Sequence, residues 1–134
     1  MVPHNFASHL EHHHLVIQAW IRHPLHEPKD GIAWFHTLIK RIGMTLLLEP
    51  QAVCSEMEKN KGLTVVAVIT TSHISMHIWD EQSPAEMQLD VYSCKSYEKE
   101  IIFNLIKETM DPISIRYKFI NRSTGLHLYN EDHS

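Results

Sequence analysis

The residues Thr71-Ser72-His73-Ile74-Ser75-Met76-His77-Ile78-Trp79 alternate between apolar and polar types with a period of two, and this constrains the chain more than any other stretch. Ile74, Met76 and Ile78 form one row, while His73, Ser75, His77 and Trp79 form the other. Such a run predicts a half-buried β-strand, with one face in a core and the other displaying imidazoles and a hydroxyl. Upstream, Leu63 to Ile69 is almost continuously apolar and rich in β-branched residues, which predicts a core strand leading through Thr70-Thr71 into Ser72. Downstream, Leu89 to Cys94 alternates again and ends on a cysteine. A serine at a strand junction, a histidine five residues on and a cysteine on a nearby strand are the candidate chemical groups.

The remaining segments predict the layers around that strand. His14 to Ile21 reads as a first strand, and Arg22 to Lys29, interrupted by Pro24 and Pro28, as a connection. Asp30 is placed to cap a helix through Ile42, with Ile32, Phe35, Leu38, Ile39 and Ile42 on one stripe and Gly43 as its stop. His36 lies beside that stripe as a packing residue. Met44 to Glu49 predicts a second strand, and Pro50 to Lys61 a polar hairpin loop or flap. Gly62 to Ile69, His73 to Trp79 and Met87 to Cys94 supply three more strands. Tyr97 to Met110 predicts a second helix capped by Ser96, with Ile102, Leu105, Ile106 and Thr109 inside and Asp111-Pro112 ending it. Ile113 to Ile120 alternates as a last strand, leaving residues 1–12 as an arm and 121–134 as a polar tail. The order β-α-β-β-β-β-α-β predicts an α+β two-layer sandwich, a largely antiparallel sheet with both helices on one face. It fits one domain over residues 1–134. The uncovered sheet face calls for a partner, and a homodimer is expected.

Composition narrows the functional classes. A formal charge of −4 supplies no basic surface for nucleic acid or an anionic membrane, so neither partner is expected. No apolar run has the length of a membrane span, and no secretory leader pattern is present. The two cysteines, Cys54 and Cys94, make no disulfide framework, and a cytoplasmic protein with reduced thiols is expected. Twelve histidines make the net charge strongly dependent on pH between about 5 and 7. Among them, His12-His13-His14 does not predict a metal site, because consecutive strand residues point to opposite faces. They read as surface or strand-start residues, and no metal is expected. Cys54 and Ser55 are assigned no role.

The segment Thr-Ser-His-Ile-Ser-Met-His-Ile-Trp-Asp-Glu at 71–81, with Asp-Val-Tyr-Ser-Cys at 90–94, resembles the small prokaryotic S-adenosylmethionine decarboxylase proenzymes. Their hallmark is Glu-Ser-His-Leu-Ser-Ile-His-Thr-Trp-Pro-Glu, followed by Asp-Val-Phe-Thr-Cys. His14-Leu15-Val16 is similar to their opening His-Leu-Leu-Val, and the resemblance runs over roughly residues 13 to 120. It implies self-cleavage before the motif serine, here between Thr71 and Ser72. In that family the serine hydroxyl takes over the acyl group, and elimination and hydrolysis then leave a pyruvoyl group at the new N-terminus. By the resemblance, Ser72 is the pyruvoyl precursor, His77 the base of the elimination, and Thr64 holds the place of a second processing hydroxyl. The pyruvoyl carbonyl forms a Schiff base with the substrate amine and serves as electron sink in place of bound pyridoxal phosphate. Cys94 matches the proton donor to the product carbanion. Glu81 matches the acceptor of the ribose hydroxyls, and Trp79 is the ring nearest to hand for adenine. The family's active sites lie at or near a dimer interface, and its product feeds spermidine biosynthesis.

Three positions depart from the pattern. Thr71 replaces glutamate, Asp80 replaces proline, and residues 50–61 hold no aromatic residue where the family stacks a phenylalanine on adenine. A stacking ring is worth on the order of 1 kcal/mol. These departures keep open the same chemistry on ornithine or arginine. They equally keep open a processing-deficient homologue that binds a ligand or a partner subunit.

Overall fold

Every second side chain of the central strands is buried, and the buried rows line up on one side of a single sheet. The computed structural model describes residues 8–132; Met1 to Ala7, most of the expected arm, and His133-Ser134 lie outside the described residues. The elements are β1 (His13–Ile21), α1 (Pro28–Arg41), β2 (Leu46–Ser55), β3 (Gly62–Ile69), β4 (Ser72–Trp79), β5 (Ala85–Ser93), α2 (Lys99–Met110), β6 (Pro112–Asn121) and β7 (His127–Glu131). The strand order is β2-β3-β4-β5-β1-β6-β7, every neighbouring pair antiparallel. This is the expected α+β sandwich.

Register carries the core across the sheet. Leu15, Ile17, Ala19 and Ile21 face Val91, Leu89, Met87 and Ala85, while Leu63, Val65 and Ala67 face Ile78, Met76 and Ile74. Phe35, Leu38 and Ile39 of α1 and Ile102, Leu105, Ile106 and Met110 of α2 close over these rows. The Trp34 indole N–H donates to Thr109 Oγ1 at 2.9 Å, tying the helices together. Close approach of α1 to the sheet depends on Gly31, where a Cβ would sit 2.6 Å from Val65 Cγ2 and 3.0 Å from Leu63 Cδ2.

Several local expectations are corrected. The first helix starts at Pro28, whose fixed φ suits the first helical position, and Asp30 lies in the first turn without capping it. Ser96 does not cap α2; its hydroxyl donates to Glu11, and Glu98 is the N-cap residue. His36 is exposed and bonds Glu49 instead of packing, while Trp34 takes the buried place. The second strand continues to Ser55, so the flap shrinks to residues 56–61. Pro50 is accommodated because β2 is an edge strand whose register shifts between Leu48 and Gln51. The expected polar tail contains β7, paired to β6; its side chains are all exposed, so no buried row marks it in the sequence. Of the three consecutive histidines, His13 starts β1 as expected, and it is buried against Phe119 and Tyr129.

Tyr97 pins the sheet from the loop before α2. Its hydroxyl donates to the Val91 carbonyl at 2.7 Å and accepts the Leu15 N–H at 3.2 Å, wedged between β5 and β1. Burial pushes the phenol pKa well up; the Leu15 N–H opposes this, and the Asp90 carboxylate adds to it. Below about pH 10 the tyrosine is protonated in folded and unfolded chains alike. Above that pH the unfolded chain loses the proton first, so the contribution of Tyr97 is lost as pH rises from about 10 toward the folded pKa.

Two outcomes are expected. Chemical denaturation should show stability falling above about pH 10, with a shallower alkaline slope in Tyr97→Phe. Gly31→Ala should lower stability by about 1–3 kcal/mol through overpacking, although alanine favours the helix by up to about 1 kcal/mol.

Candidate active site

Both halves of the candidate site lie on β4, one at each end. At the first end, the two-residue turn Thr70-Thr71 joins β3 to β4, and Ser72 pairs with Ile69 on one side and Ser93 on the other. Ser72 has φ 143°, in a region that favours glycine. A non-glycine residue held there costs about 1–3 kcal/mol, which the flanking strands supply. The carbonyl of Thr71, immediately before Ser72, accepts the Cys94 N–H at 2.8 Å. That donor polarises the carbonyl of the Thr71–Ser72 bond, the bond at which the family resemblance leads one to expect cleavage.

The surroundings of this turn are polar and closely tied. Ser93 Oγ donates to Thr71 Oγ1 at 2.9 Å, and Thr71 Oγ1 donates to Met44 Sδ at 3.4 Å. The Lys95 N–H donates to Ser93 Oγ at 3.0 Å, and the Lys95 ammonium to the Gly43 carbonyl at 2.9 Å. Cys94 is a partly exposed free thiol just past the end of β5. Ser72 and Cys94 are thus brought to one corner of the sheet.

At the other end of β4, Thr64 Oγ1 lies 2.9 Å from His77 Nδ1 across the β3–β4 ladder. The His77 ring stacks on Trp79 with centroids 5.7 Å apart, and the Trp79 indole N–H donates to Asn60 Oδ1 at 2.8 Å. Thr64, His77, Trp79 and Asn60 line a cavity of about 380 Å³ together with Ser55 and Gly62. A neighbouring cleft of about 350 Å³ shares Trp79 and adds Lys59, Lys61, Glu81 and Glu86. Lys61 Nζ is 3.9 Å from Glu81 Oε1, with both side chains about half exposed. Thr64, His77, Trp79 and Glu81 therefore form a second group, in which Glu81 is partnered by a cation.

The structure does not join these groups within one chain. His77 lies five residue steps along the strand from Ser72, a span of about 17 Å at 3.3–3.4 Å per residue. His77 also sits in the row opposite Ile74, Met76 and Ile78, on the sheet face away from the helices. That open face carries a third cluster. The Arg122 guanidinium lies 4.1 Å over the Tyr92 ring and donates to His14 Nδ1 at 3.2 Å. His14 Nε2–H is then left to donate to Asp90, and His73 packs on the same tyrosine. Alternation through Asp90-Val91-Tyr92-Ser93 places Asp90 and Tyr92 on the open face and Ser93 in the core, so this part was readable. Asn60, Lys61 and Arg122 were not, because they come from irregular segments or a strand end without periodic signal. Among the described residues no group of His, Cys, Asp and Glu side chains is arranged to hold a metal ion, and no helix is long and apolar enough to cross a membrane.

Comparison with known proteins bears on the family of the chain. The family model described as S-adenosylmethionine decarboxylase matches residues 13–123. A protein named S-adenosylmethionine decarboxylase proenzyme from Pyrobaculum arsenaticum is 40% identical over 65 residues, covering 48% of this chain and 50% of the relative. Proteins of the same name from Pyrobaculum islandicum and Pyrobaculum neutrophilum are 37% identical over 65 residues and 38% over 63. Their matches cover 48% and 46% of this chain and 50% and 49% of those relatives, so the chain spans about half the length of the curated relatives it matches. With the family model running from the first residue of β1 to beyond β6, across both ends of β4, the chain belongs to the S-adenosylmethionine decarboxylase family.

Proposed function

We propose that this chain is the proenzyme of a pyruvoyl-dependent decarboxylase of S-adenosylmethionine, and that it cleaves itself between Thr71 and Ser72. The observation that carries the reading is Ser72 at φ 143° beside a Thr71 carbonyl that already accepts the Cys94 N–H at 2.8 Å. The strained backbone relaxes when the peptide bond is cut, and the amide donor stabilises the oxyanion formed when the Ser72 hydroxyl adds to the carbonyl. The acyl group then moves from nitrogen to oxygen: a C–O bond forms, the C–N bond breaks, and the hydroxyl proton passes to the new amine. Elimination needs a base, and His77 suits that task in the tautomer whose Nδ1–H donates to Thr64 Oγ1, leaving Nε2 free to accept a proton. Once formed, the pyruvoyl group would supply an electron sink that needs no diffusible cofactor. Cys94, beside the new terminus, is the proton donor to the product, with the indole of Trp79 and the carboxylate of Glu81 as substrate contacts.

The 17 Å between Ser72 and His77 makes a second copy part of the proposal. Two chains packed open face to open face, with their β4 strands antiparallel, set the Ser72–Cys94 corner of one against the Thr64–His77–Trp79 group of the other. Val66 and Val68 of β3, 44% and 39% exposed on that face, support its burial in a homodimer. The second substrate class, a basic amino acid such as ornithine or arginine, is supported by the absence of an aromatic residue from residues 50–61.

Intact mass under denaturing conditions is expected to show two fragments, the C-terminal one beginning at position 72 and carrying a carbonyl that reacts with hydroxylamine. Ser72→Ala should stay whole, and persistence of the wild-type chain as a single mass would refute self-cleavage. His77→Ala should stall at an ester that hydroxylamine cuts. Co-expression of Ser72→Ala with His77→Ala should restore normal processing of the His77→Ala chain, because one composite site is then intact. Absence of rescue would place the machinery within a single chain.

A further inference from the structure

The geometry points to Ser93 as a positioning residue for the cleavage step, acting through the side chain of Thr71; this rests on the self-cleavage reading above. Ser93 is fully buried, and a buried hydroxyl is costly unless its hydrogen-bonding capacity is used. Here both its accepting and its donating capacity are used. The Lys95 N–H donates to Ser93 Oγ, Ser93 Oγ–H donates to Thr71 Oγ1, and Thr71 Oγ1–H donates to Met44 Sδ. Ser93 Oγ also lies 3.7 Å from Met44 Sδ, so both hydroxyls close on a thioether that can only accept, with the shorter contact running from Ser93 to Thr71.

Ser93 and Cys94 are consecutive, so the end of β5 holds Thr71 at two points: its side chain through Ser93 and its carbonyl through the Cys94 amide. A carbonyl held by one hydrogen bond can still rock about it. With the side chain also fixed, the peptide plane is fixed, and its carbon faces one direction. Attack by the Ser72 hydroxyl requires that direction to be held near 3–3.5 Å from the incoming oxygen, so this lock acts on the acyl shift and not on the later elimination. No oxidant or added reactant enters the step.

The test uses full-length chain freshly made by cell-free translation, with cleavage followed by intact mass over time. Ser93→Ala should cleave about tenfold more slowly, equivalent to about 1.4 kcal/mol of barrier. Ser93→Thr, which keeps the hydroxyl, should return the rate to within about twofold of wild type. Thr71→Val should match Ser93→Ala, and the double variant should be no slower than either alone, since both remove one contact. Hydroxylamine should not accelerate Ser93→Ala, because the affected step precedes the ester, whereas it should accelerate His77→Ala. Wild-type cleavage in Ser93→Ala would overturn the inference. So would slowing that Ser93→Thr does not rescue, or effects of the two substitutions that multiply. If the wild-type chain itself stays whole, the self-cleavage reading fails first and takes this inference with it.

Discussion

The two-sided pairing of Ser72, to Ile69 in β3 and to Ser93 in β5, holds a non-glycine residue at φ 143°, and the candidate chemistry depends on that hold. A free chain would relax this residue to an extended conformation. It is kept because β3, β4 and β5 are each anchored by a row of apolar side chains in the core: Leu63, Val65 and Ala67, then Ile74, Met76 and Ile78, then Met87, Leu89 and Val91. The helices matter to the site for the same reason. By covering those rows they make the register of the three strands costly to slip, since a shift of one residue would turn the apolar rows outward. Local strain is thus maintained by burial elsewhere in the molecule.

One strand also sets the spacing between the two candidate groups. Its parity puts His77 on the open face, and its length keeps His77 far from the turn where Ser72 sits. The open face is where His14, His73, His77, Tyr92, Asp90 and Arg122 gather, on the side that the helices leave bare, while Ser93 lies in the core. A two-layer fold with His77 and Trp79 on the uncovered layer suits a site shared between two molecules.

Much of this was legible in the sequence wherever one side of an element is buried. The rows of β4 and β5 follow directly from alternation, whereas the continuously apolar β3 hid that Val66 and Val68 are exposed; the core stripe of α2 follows its helical period, except that Phe103 and Met110 join it and Thr109, expected inside, is exposed. Legibility failed where burial gives no pattern. The strand β7 is exposed throughout, and β2 is an edge strand broken by register shifts, so polar composition and Pro50 suggested loops at both. The candidate residues Ser72, His77, Thr64 and Cys94 were found through their motif, but their division between two ends of β4 was hidden in it. A short sequence separation on a strand corresponds to a long distance in space. The contact of Ser93 with Thr71 was equally hidden, because it depends on the facing of two separate strands.

The strand order has a consequence for what a cut at Thr71–Ser72 would leave behind. The N-terminal piece would contribute β1, β2 and β3, and the C-terminal piece β4 to β7. In the sheet these are interleaved: β1 lies between β5 and β6, and β3 lies against β4. Breaking the covalent link therefore opens no seam along which the molecule can part. The two pieces could separate only by unzipping β1 from both neighbours and β3 from β4, which amounts to dismantling the core. The cleaved protein would thus persist as a noncovalent pair. Its original folding route, however, was that of one continuous chain, and after full denaturation the pieces would have to find each other as separate molecules. Maturation of this fold would be a one-way passage, with the architecture inherited from a covalent precursor that no longer exists.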